Sequence, residues 1–348
     1  MYDLSRPFVK NRREPDQPVD SPGRGKARLR PVDAIVVEVR RNGIVEARHR
    51  VHAVAVRDGA VVAEAGDGSL ACFLRSSSKP IQALPLARAR DDLDERDLAI
   101  ASASHRATDD QIAAVRALLA KAPATEDELE LGPQEGRPAE RIYHNCSGKH
   151  AGMLALCRAQ GWDAQGYRLA GHPLQEACRA AHGEAADVDL AELATAIDGC
   201  GVVTFALPLE RMASAFARFE GLPAGARVAA AMRAHPELVG GPDGADLHLM
   251  RAAPGWFAKG GAEGLFCAGG PGGIGIALKC EDGSSRPLEP ALAVFLAPLG
   301  VDLTALAEAP VTNSRGERVG ECVAATSCRV NFSLRTREGP LRSGQLEG

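Results

Sequence analysis

The chain has 348 residues, 45% of them hydrophobic and 25% charged, with a formal net charge of -4, which is enough apolar sequence for a large core. Aromatic residues make up only 4%, leaving few rings to stack nucleobases, and the slight acidic balance argues against a phosphate-binding surface, so the expected partner is a small molecule rather than a nucleic acid. No apolar run approaches the roughly 18 residues of a membrane span. The N-terminal stretch lacks a hydrophobic signal segment, and nine cysteines suit reduced thiols better than a disulfide framework, so a cytoplasmic protein is expected.

Residues 1–30 have no apolar period and read as a flexible extension, and residues 333–348 read as a tail. Between them, 31–332 is expected to form one catalytic domain. Residues 34–39 are a β-branched run, 51–56 and 60–63 follow as strands, and turns are expected at Asn42-Gly43 and Asp58-Gly59. Helical composition or spacing then marks 82–89, 109–120, 148–160, 174–182, 190–196 and 209–219. Beyond Trp256, short apolar segments at 264–268 and 274–279 return to a strand pattern, closed by the Glu281-Asp282-Gly283 turn. This order predicts an α+β fold: a mixed antiparallel sheet built from N- and C-terminal strands, with a helical lobe inserted.

Four fragments could carry chemistry. In Arg75-Ser76-Ser77-Ser78-Lys79-Pro80, Ser76 and Lys79 have the Ser-x-x-Lys spacing that puts a hydroxyl and an amine about one helical turn apart. The bland alternative is a helix-capping serine beside a surface lysine. Ser104 is a second hydroxyl candidate, although it and Thr108 are equally plausible caps for the helix that follows. Lys259, before Gly260-Gly261, is a second amine in a segment whose glycines allow close backbone approach, or an exposed lysine on a plain turn. Cys146, Lys149 and His150, with Asp198 and Cys200, offer soft and borderline ligands suited to zinc, or are simply two buried thiols beside a turn.

Taken in order, these fragments resemble the asparaginase II family of the inducible Rhizobium etli type. The matching motifs are Leu74-Arg75-Ser76-Ser77-Ser78-Lys79-Pro80-Ile81-Gln82, Ser102-Ala103-Ser104-His105, Asn145-Cys146-Ser147-Gly148-Lys149-His150, Asp198-Gly199-Cys200, His235-Pro236-Glu237, the segment from Lys259 to Glu263, and Ala277-Leu278-Lys279-Cys280-Glu281-Asp282-Gly283. The resemblance spans roughly 32–332. It implies a fold similar to serine β-lactamases and glutaminases, a homodimer, and two Ser-Lys pairs: Ser76 with Lys79, and Ser104 with Lys259. It also implies zinc held by Cys146, Lys149 and Cys200 without an organic cofactor, and roles for Arg75, His150 and Asp198 in orienting substrate.

The activity implied is hydrolysis of L-asparagine to L-aspartate and ammonia through an acyl-enzyme. A penicillin-recognising or other small-amide serine hydrolase is the nearest alternative, and a catalytically inactive zinc-dependent ligand-binding protein is another. Two departures bear on selectivity. Val203 stands near where the family usually has proline after the Asp-Gly-Cys motif, and Arg106 replaces a small residue after Ser104-His105.

Overall fold

The computed structural model describes residues 33–334 and 342–344; the expected extension at 1–30 and most of the expected tail at 333–348 lie outside the described residues. The N-terminal meander forms as β1 (Ile35–Arg41), β2 (Ile44–Arg57) and β3 (Ala60–Ala65). Its two turns place Asn42-Gly43 and Asp58-Gly59 at positive φ, the pair of left-handed residues that suits a tight hairpin.

A short strand, β4 (Ala71–Phe73), leads into α1 (Lys79–Ala89), α2 (Glu95–Ala101), α3 (Asp109–Lys121), α4 (Ser147–Gln160) and α5 (Pro173–Ala186). Helix α4 is buried from Ser147 through Cys157. Its glycines let it cross α2 closely: a Cβ on Gly148 would lie 2.3 Å from the Ile100 carbonyl oxygen, and one on Gly152 would lie 3.0 Å from Ala101 Cβ. Thr108 accepts the Gln111 amide at 3.3 Å and caps α3, so the capping alternative for Ser104 falls away.

The helix expected at 190–196 is instead a single 3-10 turn, Leu190–Glu192, followed by β5 (Ala194–Ile197). Strand β5 pairs antiparallel with β6 (Val203–Pro208), which also pairs with β4, giving a separate three-stranded sheet. The hairpin around Gly201, at φ 86, gives these residues strand partners, and that pairing overrides their weak helical composition.

The remainder is α6 (Leu209–Arg218), α7 (Gly225–Ala234), α8 (Pro236–Val239), α9 (Ala245–Ala252), β7 (Phe257–Gly261), β8 (Leu265–Gly270), β9 (Ile274–Cys280), α10 (Leu288–Leu296), β10 (Glu308–Thr312), β11 (Arg318–Ala324), β12 (Asn331–Leu334) and β13 (Arg342–Gly344). Among the described residues, ten strands form the main sheet. Its path runs β10-β11-β1-β2-β3-β12-β13, with β9 joined to β2 and continued by β8 and β7, and the registered pairs are antiparallel. N- and C-terminal strands thus build one sheet, and the α+β class is as the sequence predicts. Helix α6 turns Leu209, Met212, Ala213 and Phe216 inward. It lies so close to β9 that a Cβ on Gly275 would sit 2.0 Å from the Ala213 carbonyl oxygen.

Candidate functional site

The first serine-lysine fragment is a 3-10 turn, Arg75–Ser78, that feeds directly into α1. Leu74 anchors its start: the side chain is fully buried and its amide donates to the Phe205 carbonyl at 2.9 Å. Arg75 follows with φ 48, a left-handed conformation unusual for a non-glycine residue, and this sharp bend presents half-buried Ser76. The next residue fastens the turn to β7, because Ser77 Oγ donates to the Lys259 carbonyl at 2.8 Å. A Cβ on Gly261 would meet Ser77 Oγ at 2.8 Å and the Leu74 oxygen at 2.9 Å, so the glycines after Lys259 serve this approach of strand to turn.

Lys79 is completely buried. Its Nζ donates to the Ala103 carbonyl at 2.6 Å and to Ser104 Oγ at 2.8 Å, so the amine expected beside Ser76 makes its hydroxyl contact with Ser104. Ser76 Oγ has no hydrogen bond among the described residues. Burial pulls the Lys79 pKa down to about 8; the Cys146 sulfur opposes this, while Lys149 and Lys259 reinforce it.

Lys259 is also buried but turns to a residue that sequence inspection passed over: its Nζ lies 3.1 Å from Asp246 Oδ2 and donates to the Gly260 carbonyl at 2.9 Å. Asp246 would be raised by burial, yet the Lys259 ammonium and the Gly260 and Leu247 amides outweigh that and hold it below the usual carboxylate value. Glycines make room for it, since Cβ atoms on Gly240 and Gly244 would approach Asp246 Oδ1 to 2.5 and 2.4 Å. The available signal was an acidic residue on the buried face of α9, in register with Leu249 and Met250.

The cysteine fragments converge nearby. Lys149 Nζ lies 3.0 Å from Cys200 Sγ, and Cys200 Sγ lies 3.4 Å from Asp198 Oδ2. Cys146 and Cys200 face each other; the Cys200 thiol and the nearby lysines hold Cys146 well below the ordinary thiol value against burial, while Cys146 and burial raise Cys200. Burial disfavours the Lys149 ammonium, but the two sulfurs outweigh it and push the amine upward. Two sulfurs and one amine nitrogen therefore meet in a buried pocket, a donor set that fits zinc provided the Lys149 proton is displaced.

Behind this cluster His150 is fully buried. The Glu130 amide donates to the Tyr167 hydroxyl at 3.0 Å, and that hydroxyl lies 2.6 Å from His150 Nδ1. His150 Nε2 has no hydrogen-bond partner and faces Cys200; burial pulls the ring down to about 4, partly opposed by Cys200. This imidazole backs the sulfur cluster. His105 is similarly committed: Ala107 N–H donates to its Nδ1 at 3.1 Å, so Nε2 carries the proton given to Ser147 Oγ at 2.8 Å, and burial pulls this ring down to about 3.

Arg75 Nε donates to Asp198 Oδ1 at 2.5 Å, and its Nη1 reaches Glu263 Oε1 at 3.8 Å. Asp198 is raised by burial but held below the ordinary value by Lys149 and Arg75. The charged pair thus connects the serine turn to the sulfur cluster. Arg106 is exposed and packs over Gly241, while Arg137 donates to the His105 carbonyl at 3.1 Å. The arrangement offers two half-buried hydroxyls, a buried amine of lowered basicity bonded to one of them, and a charged wall suited to the ends of a zwitterion.

The family model described as L-asparaginase II matches residues 37–324. No curated protein matches the chain. A solved structure described as "Crystal structure of SurE with D-Leu" is similar over 86% of this chain and 83% of that one, at 13% identity and a TM-score of 0.39.

Proposed function

Because the chain belongs to the L-asparaginase II family, we propose that it hydrolyses L-asparagine to L-aspartate and ammonia through a serine acyl-enzyme. The observation that carries the chemistry is Lys79: a fully buried amine, pulled down to about 8, whose hydrogen bonds run to the neutral Ala103 carbonyl and Ser104 hydroxyl. Lys259 is held by Asp246 and Lys149 by Cys200, whereas the Cys146 sulfur near Lys79 only partly opposes the effect of burial. Lys79 is therefore the group suited to take a proton near neutral pH.

In this mechanism neutral Lys79 accepts the Ser76 proton, directly or through Ser104. Ser76 Oγ attacks the side-chain amide carbon, the proton passes to the departing ammonia, and water then cleaves the ester. Arg75 and Asp198 hold the substrate's carboxylate and ammonium ends. The contact between Lys79 and Ser104 favours a second assignment, with Ser104 as nucleophile and Ser76 as its relay. Trapping the acyl-enzyme and locating the modified serine by peptide mass spectrometry distinguishes the two.

Zinc at Cys146, Lys149 and Cys200 belongs to the same proposal; bound there, it would supply positive charge beside the substrate site. So do a homodimer of the Rhizobium etli type, a serine β-lactamase-like architecture and a cytoplasmic location. Among the described residues, no helix is long and apolar enough to cross a membrane. The test is ammonia release across L- and D-amino-acid amides. Turnover of asparagine supports the proposal; cleavage of a chromogenic cephalosporin without ammonia release overturns it.

A further inference from the structure

We propose that His49, Cys280 and Asp282 form a second divalent-cation site, with donor chemistry that selects zinc, where the end of β9 meets β2. The three residues share no member with the sulfur cluster around Cys146. Their convergence follows from the sheet register. Cys280 pairs with Val51, so His49, two residues away on β2, lies on the same face, and Asp282 turns back just beyond the strand end. One ligand atom from each residue lies within 4.8 Å of those of the other two.

The carboxylate sits between the other groups. Asp282 Oδ2 is 2.6 Å from His49 Nδ1, while Oδ1 accepts from Cys280 Sγ at 2.9 Å and from the Ser284 amide at 2.9 Å. An imidazole N–H and a thiol S–H thus both face one carboxylate, a place where a dication can replace protons. Binding would release the Cys280 proton and move the imidazole proton to Nε2. With a carboxylate, a thiolate and a neutral imidazole, the ligands balance the double positive charge.

Thiolate and imidazole together favour zinc over magnesium or calcium. Zinc bonds of about 2.0–2.3 Å require ligand atoms roughly 3.3–3.7 Å apart, so the two contacts must open by about 1 Å or less. Asp282 can provide that movement because its side chain is 48% exposed on a surface turn, which also admits water to the fourth position. Cys280 is fully buried and His49 Nε2 is buried without a partner. An Nε2–H there would lack the outer acceptor that usually supports a ligating histidine, which sets the affinity below that of a fully supported site.

The location links the cation to the site loop. The Cys280 amide donates to the Gly264 carbonyl at 2.9 Å, Lys279 Nζ donates to the Glu263 carbonyl at 2.7 Å, and Glu263 faces Arg75. A cation gripping Cys280 and Asp282 would staple the base of this loop to β2.

The test uses the full chain stripped of metal, reloaded with zinc, and assayed for metal by elemental analysis after gel filtration. In a Cys146→Ser, Cys200→Ser background, which lacks both sulfurs of the other proposed site, one zinc per chain should remain and be lost on adding His49→Gln or Cys280→Ser. Cobalt substituted into that background should give a thiolate-to-metal charge-transfer band that Cys280→Ser abolishes. Should the double variant fail to fold by circular dichroism, His49→Gln in the native background must lower zinc content by one per chain. Unchanged metal content on His49→Gln and Cys280→Ser, or no zinc in the folded double variant, overturns the proposal. Neither outcome depends on asparagine turnover.

Discussion

If Lys79 is the proton acceptor, the activity must follow its titration. An ordinary lysine at 10.5 is only ~0.03% free amine at pH 7, whereas one pulled down to about 8 is ~10% free. The maximal rate should therefore rise about tenfold per pH unit up to roughly pH 8 and level off above it, giving about one hundredth of the plateau at pH 6. Replacing Lys259 by Met removes an ammonium that helps depress Lys79, so the limb should move to higher pH. The movement should be smaller than the effect of burial, which is the largest cause of the shift. The assay is ammonia release at saturating asparagine, repeated with and without added zinc, since loss of metal at low pH could imitate loss of the base. A solvent isotope effect or a burst experiment must first show that chemistry limits the rate. A flat profile from pH 6 to 10 would refute lysine base catalysis, as would a limb that moves downward in Lys259→Met. The two nearby histidines are poor substitutes, because burial makes both rings weak bases and their Nδ1 atoms are engaged, by the Ala107 amide in His105 and the Tyr167 hydroxyl in His150.

Ser76→Ala should abolish nearly all turnover and leave melting within about 2 kcal/mol of the parent, while Ser104→Ala should be strongly impaired; a folded Ser76→Ala enzyme with parental ammonia release would eliminate Ser76 as nucleophile. Asp246→Asn should destabilise the protein by about 3–5 kcal/mol in urea melts, because it leaves the buried Lys259 without its counter-charge, and the pair Asp246→Leu, Lys259→Met should recover much of that loss. Since Asp246 is held below 3.8, the pair's contribution is complete above that pH and is lost as the pH falls through the folded value, so the Asn variant should differ least from the parent in acid. Gly148→Ala should cost about 1–3 kcal/mol, measured by thermal melting, because the new methyl group has no room beneath the Ile100 carbonyl.

The sequence displayed what local rules control. Asn42-Gly43 and Asp58-Gly59 announced hairpins because few other pairs tolerate two consecutive positive φ values. Helix α4 was legible from its spacing, and the structure sets Lys149 beside Cys200 with Cys146 facing that thiol. Strand β5 was illegible: Ala194 to Ile197 has no strong preference of its own and takes its conformation from β6. The partner of Lys79 was illegible for a related reason. Ser-x-x-Lys spacing fixes where two side chains begin, but a lysine has four rotatable bonds, and Nζ followed the Ala103 carbonyl and Ser104 hydroxyl presented by the chain beyond α2.

Asp246 escaped because it lies thirteen residues before Lys259 in a segment that local patterns leave unremarkable. Its position nonetheless separates the roles of the two lysines. Lys79 and Lys259 are both almost completely excluded from water, so burial alone would treat them alike. The difference is in what faces them: Lys259 meets a carboxylate enclosed by glycines, while Lys79 meets a carbonyl, a hydroxyl and the Cys146 sulfur, whose pull is opposed by Lys149 and Lys259. A buried carboxylate stabilises an adjacent ammonium, whereas a carbonyl and a hydroxyl only partly replace the water that burial removed. Lys259 is thus tied to Asp246, which fastens β7 to α9, and its charge in turn helps lower the basicity of Lys79. On this argument the Ser104–Lys259 pairing gives way to two others, Lys79 with Ser104 and Lys259 with Asp246, and the carboxylate supplied by α9 is what divides the labour between the lysines.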